Sequence, residues 1–172
     1  MLKSYHPEFL TATVLNWNRL LIDDYFKKLI VDCMQWLVAN GRCKIYGFVI
    51  MPNHLHLIWK IADGFERAEV QGALLSYTAH AFKKDLKKND PNRLSRYKVN
   101  LLDRAFQFWQ RDCMVKECWN EWFLEEKLNY VHQNPLQSHW DLSDVPENYY
   151  WSSAAFYIIG KSPFSFLTHY KD

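Results

Sequence analysis

Two histidines, a tyrosine and an asparagine carry most of what this chain could do chemically. His54 and His56 stand two apart in Met51-Pro52-Asn53-His54-Leu55-His56-Leu57-Ile58-Trp59, at the start of an apolar run. In a strand, residues at i and i+2 point to one face, so the two imidazoles would lie side by side. Neutral imidazole is the commonest protein metal ligand, and such a pair is half of a metal site. A divalent ion wants at least a third donor, and two satisfied core histidines would give the same pattern. Farther along, Tyr130 and Asn134 are one helical turn apart, on a stripe with Trp119, Phe123 and Lys127. Leu124, Leu128 and Val131 form a different stripe of the same helix, its core face. The tyrosine stripe could present a hydroxyl and a metal-ligating amide oxygen together, or it could be a second packing face.

The elements that must position these residues can be read from periodicity and punctuation. Ile45-Tyr46-Gly47-Phe48-Val49-Ile50 is β-branched and aromatic, and Pro52-Asn53 is a turn dipeptide, so the histidines open the second strand of a hairpin. An earlier strand is expected over 9–16. A helix capped by Asp23 should run to about Val38 and end at Asn40-Gly41. A second helix is expected over 65–87, then an irregular basic loop from Asn89-Asp90-Pro91-Asn92 to about Leu102. Residues 108–115 alternate like a strand, and a third helix over 120–134 is stopped by Pro135. The order β-α-β-β-α-β-α predicts one α+β domain spanning 1–172, with a ferredoxin-like antiparallel sheet and helices mainly on one face.

Composition narrows the class. A chain of 172 residues that is 49% hydrophobic, with five glycines, is neither disordered nor collagen-like. Aromatic residues make up 17%, and Trp109, Trp119 or Trp140 could stack on bases. A net charge of +2 is too small to argue for nucleic acid, but its distribution is uneven. Lys83, Lys84, Lys87, Lys88, Arg93, Arg96 and Lys98 face only Asp85 and Asp90 in that stretch, which could follow a phosphate backbone or form a solvated helix end. Four cysteines without zinc spacing are expected to be reduced thiols of a cytoplasmic protein. The first residues, Met1-Leu2-Lys3-Ser4-Tyr5-His6, lack the apolar core of a secretory leader. No apolar run approaches the roughly 20 residues of a membrane span, so no membrane partner is expected.

Three segments carry a family resemblance. Phe48-Val49-Ile50-Met51-Pro52-Asn53-His54-Leu55-His56-Leu57 resembles the His-hydrophobic-His motif of the IS200/IS605-like single-tyrosine transposases, most closely the REP-associated tyrosine transposases. Asn129-Tyr130-Val131-His132-Gln133-Asn134-Pro135-Leu136 is similar to their tyrosine-bearing helix ending in Asn-Pro, and Tyr150-Trp151-Ser152-Ser153 to the Trp-Ser-Ser signature that follows. The resemblance covers about 9–153. It implies a ferredoxin-like fold and an enzyme that cuts and rejoins single-stranded DNA beside a hairpin through a covalent phosphotyrosine. It also implies Tyr130 as nucleophile, and Mg²⁺ or Mn²⁺ held by His54 and His56 with Asn134 as third ligand. Apart from the resemblance, Lys127, one turn before Tyr130, could steady the phenolate or a phosphate or be a solvated helix lysine, and Lys83, Lys84, Lys87, Arg93 and Arg96 could position DNA phosphates. Where the family carries arginine and glycine after Asn-Pro, this chain has Leu136-Gln137-Ser138-His139-Trp140. His132, two residues from the tyrosine, is expected to be structural. Dimeric and single-chain arrangements both fit the family. A hairpin-binding protein without cleavage activity and an unrelated metal-dependent hydrolase are the competing readings.

Overall fold

The computed structural model describes residues 4–172, so the first three residues of the N-terminal stretch read above lie outside the described residues. Its centre is one antiparallel sheet: β1 (Glu8–Thr13), β2 (Cys43–Met51), β3 (His54–Ile61) and β4 (Met114–Glu117), in the spatial order β2-β3-β1-β4. Around it lie α1 (Asp24–Ala39), α2 (Arg67–Asn89), the short α3 (Pro91–Leu94), α4 (Glu121–Gln133) and α5 (Ala154–Ile158). The α+β, ferredoxin-like expectation is borne out, with α1 and α2 as the two crossover helices.

Alternation along the central strands divides the core. Leu10 and Ala12 of β1, Leu55, Leu57 and Trp59 of β3, and Phe48 and Ile50 of β2 join the apolar faces of α1 and α2. Phe9, Val49, Met51 and Ile58 point the other way, onto Leu124, Leu128 and Val131 of α4. Two long helices therefore share one face of the sheet, and the tyrosine helix covers the other.

The β2–β3 hairpin forms as expected, turning at Pro52-Asn53. Both turn carbonyls are bonded from the β1–α1 connection: Leu21 N–H donates to Pro52 O and Val14 N–H to Asn53 O, each at 2.9 Å. The tip carrying His54 is thereby tied to the sheet rather than free to flex.

Several expected elements differ. Asp23 precedes α1, but its carboxylate does not cap the helix; it pairs with the Arg93 guanidinium, a charged partner stronger than a neutral N–H. The stretch after Asn89 is mostly helical: the Asp90 side chain accepts from Arg93 N–H at 2.9 Å, and Tyr97 is buried. The strand expected at 108–115 forms only from Met114. Before it, Trp109 donates its indole N–H to Thr78 Oγ1 at 3.0 Å, and Phe108 stacks on Tyr97. Packing against α2 directs those aromatics, and an isolated bridge from Val14 to Trp109 is what joins them to β1. The last segment shields the outer edge of β2: Thr168 N–H donates to Ile45 O at 2.9 Å while Phe164, Phe166 and Leu167 enter the core. Among the described residues no helix is long and apolar enough to cross a membrane.

Candidate active site

His54 and His56 lie on one face of β3, ring centroids 4.6 Å apart, both buried. Each ring is held from behind. Asn53 Oδ1 lies 2.7 Å from His54 Nδ1, and the Asn53 amide nitrogen points to Trp17 O, so Oδ1 accepts from an Nδ1–H. Thr11 Oγ1, cross-strand from His56 in register, lies 2.8 Å from His56 Nδ1. Phe9 stacks against the same ring at 5.2 Å. Nε2 of His54 therefore carries its lone pair, and the Thr11 hydroxyl, accepting from Nδ1–H, would leave Nε2 of His56 free in the same way, the arrangement that second-shell partners impose on metal-ligating histidines.

Burial pushes the pKa of His54 down to about 4, partly opposed by the neighbouring Asn134 amide and assisted by His139. Burial, then the His54 imidazole, pushes His56 down to about 3. Both are neutral near pH 7, as ligation requires.

The tyrosine arrives on α4. Asn120 caps this helix, its Oδ1 accepting from Phe123 N–H at 2.8 Å. Helix and sheet approach closely at Gly47, a β-bulge position where an added Cβ would sit 2.5 Å from Leu128 Cδ2. Ser153 locks the same spot: its hydroxyl accepts from Phe48 N–H at 2.9 Å and lies 2.9 Å from His132 Nε2. This gives the Trp-Ser-Ser segment a mechanical role, since Trp151 O also accepts from Ile50 N–H at 2.9 Å. The outcome is that Tyr130 stands edge-on to His56, ring centroids 5.3 Å apart, and to Phe9 at 6.1 Å. It is 43% exposed and sits beside the histidines of its own chain.

Asn134, at the end of α4, is buried beside His54, and its Oδ1 is shielded from solvent with no hydrogen-bond partner. The amide is near enough to favour the charged form of His54 without completing a hydrogen bond through that oxygen. A buried acceptor left unpaired is costly, and a cation is one partner that would satisfy it. Two imidazole nitrogens and one amide oxygen fit a divalent ion that keeps open positions for substrate oxygens. Among the described residues no three His, Cys, Asp or Glu side chains cluster, so a third protein donor beside the two histidines would have to be of another type, such as this amide.

The other predicted residues fall elsewhere. Lys127 lies one turn from Tyr130, its ammonium over Phe123 and Phe9 and 3.1 Å from Glu126 Oε1. Lys83, Lys84 and Lys87 are exposed on α2, which packs on the opposite sheet face. Arg96 is exposed after α3, and Arg93 is engaged with Asp23 and the carbonyls of Arg19 and Leu20. Trp109 is core, Trp119 is exposed, and Trp140 lies 5.9 Å from His54. His132 is buried against Ser153 and Tyr157, a structural position. All four cysteines are free, and burial raises the Cys33 and Cys43 thiols to about 12. Sequence reading missed Thr11, Asn53, Phe9 and Gly47. Thr11 was findable only from the β1–β3 register, whereas Gly47 inside a strand run was a visible sign of close backbone approach.

No protein-family model matches the chain, and no curated protein sequence matches it. Its structure does match a solved one, a REP-associated tyrosine transposase bound to a REP hairpin. The TM-score is 0.66 over 100% of this chain and 91% of that one, at 16% identity. The chain has the fold of a REP-associated tyrosine transposase. The resemblance read from the histidine, tyrosine and Trp-Ser-Ser segments is thus matched by the architecture that holds them. A candidate transposase from Deinococcus radiodurans R1 is also similar, with a TM-score of 0.48 over 75% of this chain and 91% of that one, at 16% identity.

Proposed function

We propose that the protein is a metal-dependent single-strand DNA transposase, cutting and rejoining DNA at hairpin-flanked sites through a 5′-phosphotyrosine. The observation that carries this reading is the convergence of Tyr130, His54, His56 and the unpaired Asn134 oxygen on one face of the sheet. A hairpin-bound transposase of the same fold makes hairpin DNA the natural substrate class.

His54 and His56, through Nε2, and Asn134, through Oδ1, would hold Mg²⁺ or Mn²⁺, which offsets charge on a scissile phosphate. Tyr130 loses its proton and its Oη attacks phosphorus. The P–O3′ bond breaks, the leaving oxygen takes up a proton as a 3′-hydroxyl, and the 5′-phosphate stays on the tyrosine. Attack by another 3′-hydroxyl reverses the exchange, so no bond energy is lost to hydrolysis. Thr11, Asn53 and Phe9 keep the imidazoles oriented. Lys127, one turn from Tyr130, supplies positive charge near the phenolate. Lys83, Lys84, Lys87 and Arg96 would meet DNA phosphates away from the reacting centre, whereas Arg93 is the least available of the set because Asp23 occupies it. Since Tyr130 lies beside its own His56, cleavage is expected within one chain, whether or not the protein dimerises in a cytoplasmic setting.

The test is a denaturing gel after incubation with hairpin DNA bearing single-stranded flanks and Mn²⁺. A protein–DNA band that disappears with EDTA and in Tyr130→Phe supports the reading. DNA binding without any covalent band contradicts cleavage and favours a binding protein. Mixing Tyr130→Phe with His56→Ala protein should leave cleavage absent if both residues act within one chain.

A further inference from the structure

The connection from β1 to α1 contains an expensive feature without an evident structural return. Asn16 and Trp17 both have left-handed backbone, at φ 54° and 56°. Asparagine adopts this region readily, but a bulky tryptophan there is an outlier. Trp17 is also 62% exposed, so it gains little burial in exchange. Surrounding bonds impose the conformation: Trp17 N–H donates to Val14 O at 3.0 Å, and Asn18 Nδ2 donates to Leu15 O at 2.9 Å.

The position of this loop suggests why the chain keeps an aromatic there. Trp17 O receives the side-chain amide of Asn53, the residue whose other amide atom holds the His54 ring. Two residues on, the Arg19 guanidinium lies 5.7 Å from the Trp140 ring centroid, and among the described residues no carboxylate pairs with it. Trp140 in turn is 5.9 Å from His54. An exposed indole, a half-buried indole and a guanidinium without a carboxylate partner are thus tied to the segments that hold His54, Trp17 by its carbonyl through Asn53 and Arg19 through Trp140. A flat π-system linked to an anionic group is the ligand chemistry such side chains accept.

We infer that Trp17, Arg19 and Trp140 form a platform on which the unpaired base beside the scissile phosphate stacks, fixing which phosphate reaches His54 and His56. This rests on the proposed DNA cleavage reaction and adds a positioning site to it. The platform reads the presence of a base by its π-face rather than its identity by hydrogen bonds, so any of the four bases should serve.

The experiment measures affinity of the Tyr130→Phe protein, which cannot react, for hairpin DNA with one abasic nucleotide stepped through the single-stranded flank. At one position the missing base should weaken binding about 5- to 150-fold, the range for one stacked base. Changing that base to another should matter little. In Tyr130→Phe proteins also carrying Trp17→Ala or Trp140→Ala, the abasic penalty at that position should vanish. Penalties unchanged by either substitution, or no penalty anywhere, overturn the platform while leaving the cleavage reading intact. Failure of the Tyr130→Phe protein to bind any hairpin DNA overturns both. Trp17→Gly supplies a control on structure: relieving the left-handed strain should leave Tm unchanged or raised while binding weakens. A lowered Tm would make Trp17 a structural residue and contradict the proposal.

Discussion

The two faces of strand β3 carry the contrast on which the molecule is built. On one side Leu55, Leu57 and Trp59 are wholly buried against α1 and α2, hydrocarbon on hydrocarbon. On the other, one residue out of phase, His54 and His56 are almost as buried, yet they are polar, oriented by Asn53 and Thr11, and kept neutral by desolvation. The first face supplies stability without chemistry. The second gives up apolar packing for two adjacent imidazoles, and it is covered by a helix that delivers a half-exposed tyrosine. A strand pinned by its apolar side can thus hold a reactive arrangement on its other side with little room to relax.

Paired substitutions should separate the two faces. Trp59→Ala is expected to lower unfolding free energy by about 3–5 kcal/mol, as for large-to-small changes in a core, measured by urea denaturation. His56→Ala should cost much less stability but reduce strand cleavage by about 10²–10³-fold. If the two variants lost stability equally while His56→Ala still cleaved, the division of labour would be wrong.

Acid extends the comparison to the helix that covers the polar face, where His132 is buried against Ser153. Burial holds His132 at about 4, below its ordinary 6.5, so the unfolded chain binds the proton first as pH falls. Its contribution to stability is complete above pH 6.5 and is lost as pH drops from there to about 4. The loss is on the order of 3 kcal/mol for this one group. His132→Gln should flatten that part of a stability-versus-pH curve, and an unchanged slope would contradict the assignment.

Gly47 probes how the tyrosine helix is seated. Gly47→Ala brings a methyl against Leu128 and should cost about 1–3 kcal/mol by overpacking, with slower cleavage as α4 shifts. Adding Leu128→Ala should recover part of both, read by thermal melting and the gel assay. Smallest is Thr11→Val, which keeps shape but removes the bond to His56 Nδ1. An approximately 10–100-fold loss in Mn²⁺ affinity or activity with nearly unchanged Tm is expected.

What was legible in the sequence follows from the range of the interactions involved. The hairpin and the tyrosine helix could be read because period-2 and period-3.6 patterns, Pro52-Asn53 and Asn120 act within a few residues. The histidine pair and Tyr130 share a motif-bearing scaffold, so their types and spacing were visible too. Thr11 was not, since its pairing with His56 spans 45 residues and depends on the β1–β3 register. Asp23 misled for a related reason, because Arg93 reaches it across 70 residues and outcompetes the local cap. Residues 108–113 alternate like a strand, yet their aromatics answer to α2 rather than to a neighbouring strand. The tail past Ser153 lies outside the family resemblance, and its place on the edge of β2 is set by tertiary contacts.

The most direct test of the central claim is mass spectrometry of the covalent product, digested with protease and nuclease after reaction of wild-type protein with hairpin DNA and Mn²⁺. The account predicts a single nucleotide joined through its 5′-phosphate to the peptide carrying Tyr130. A nucleotide on any other residue, or a linkage through a 3′-phosphate, would contradict it.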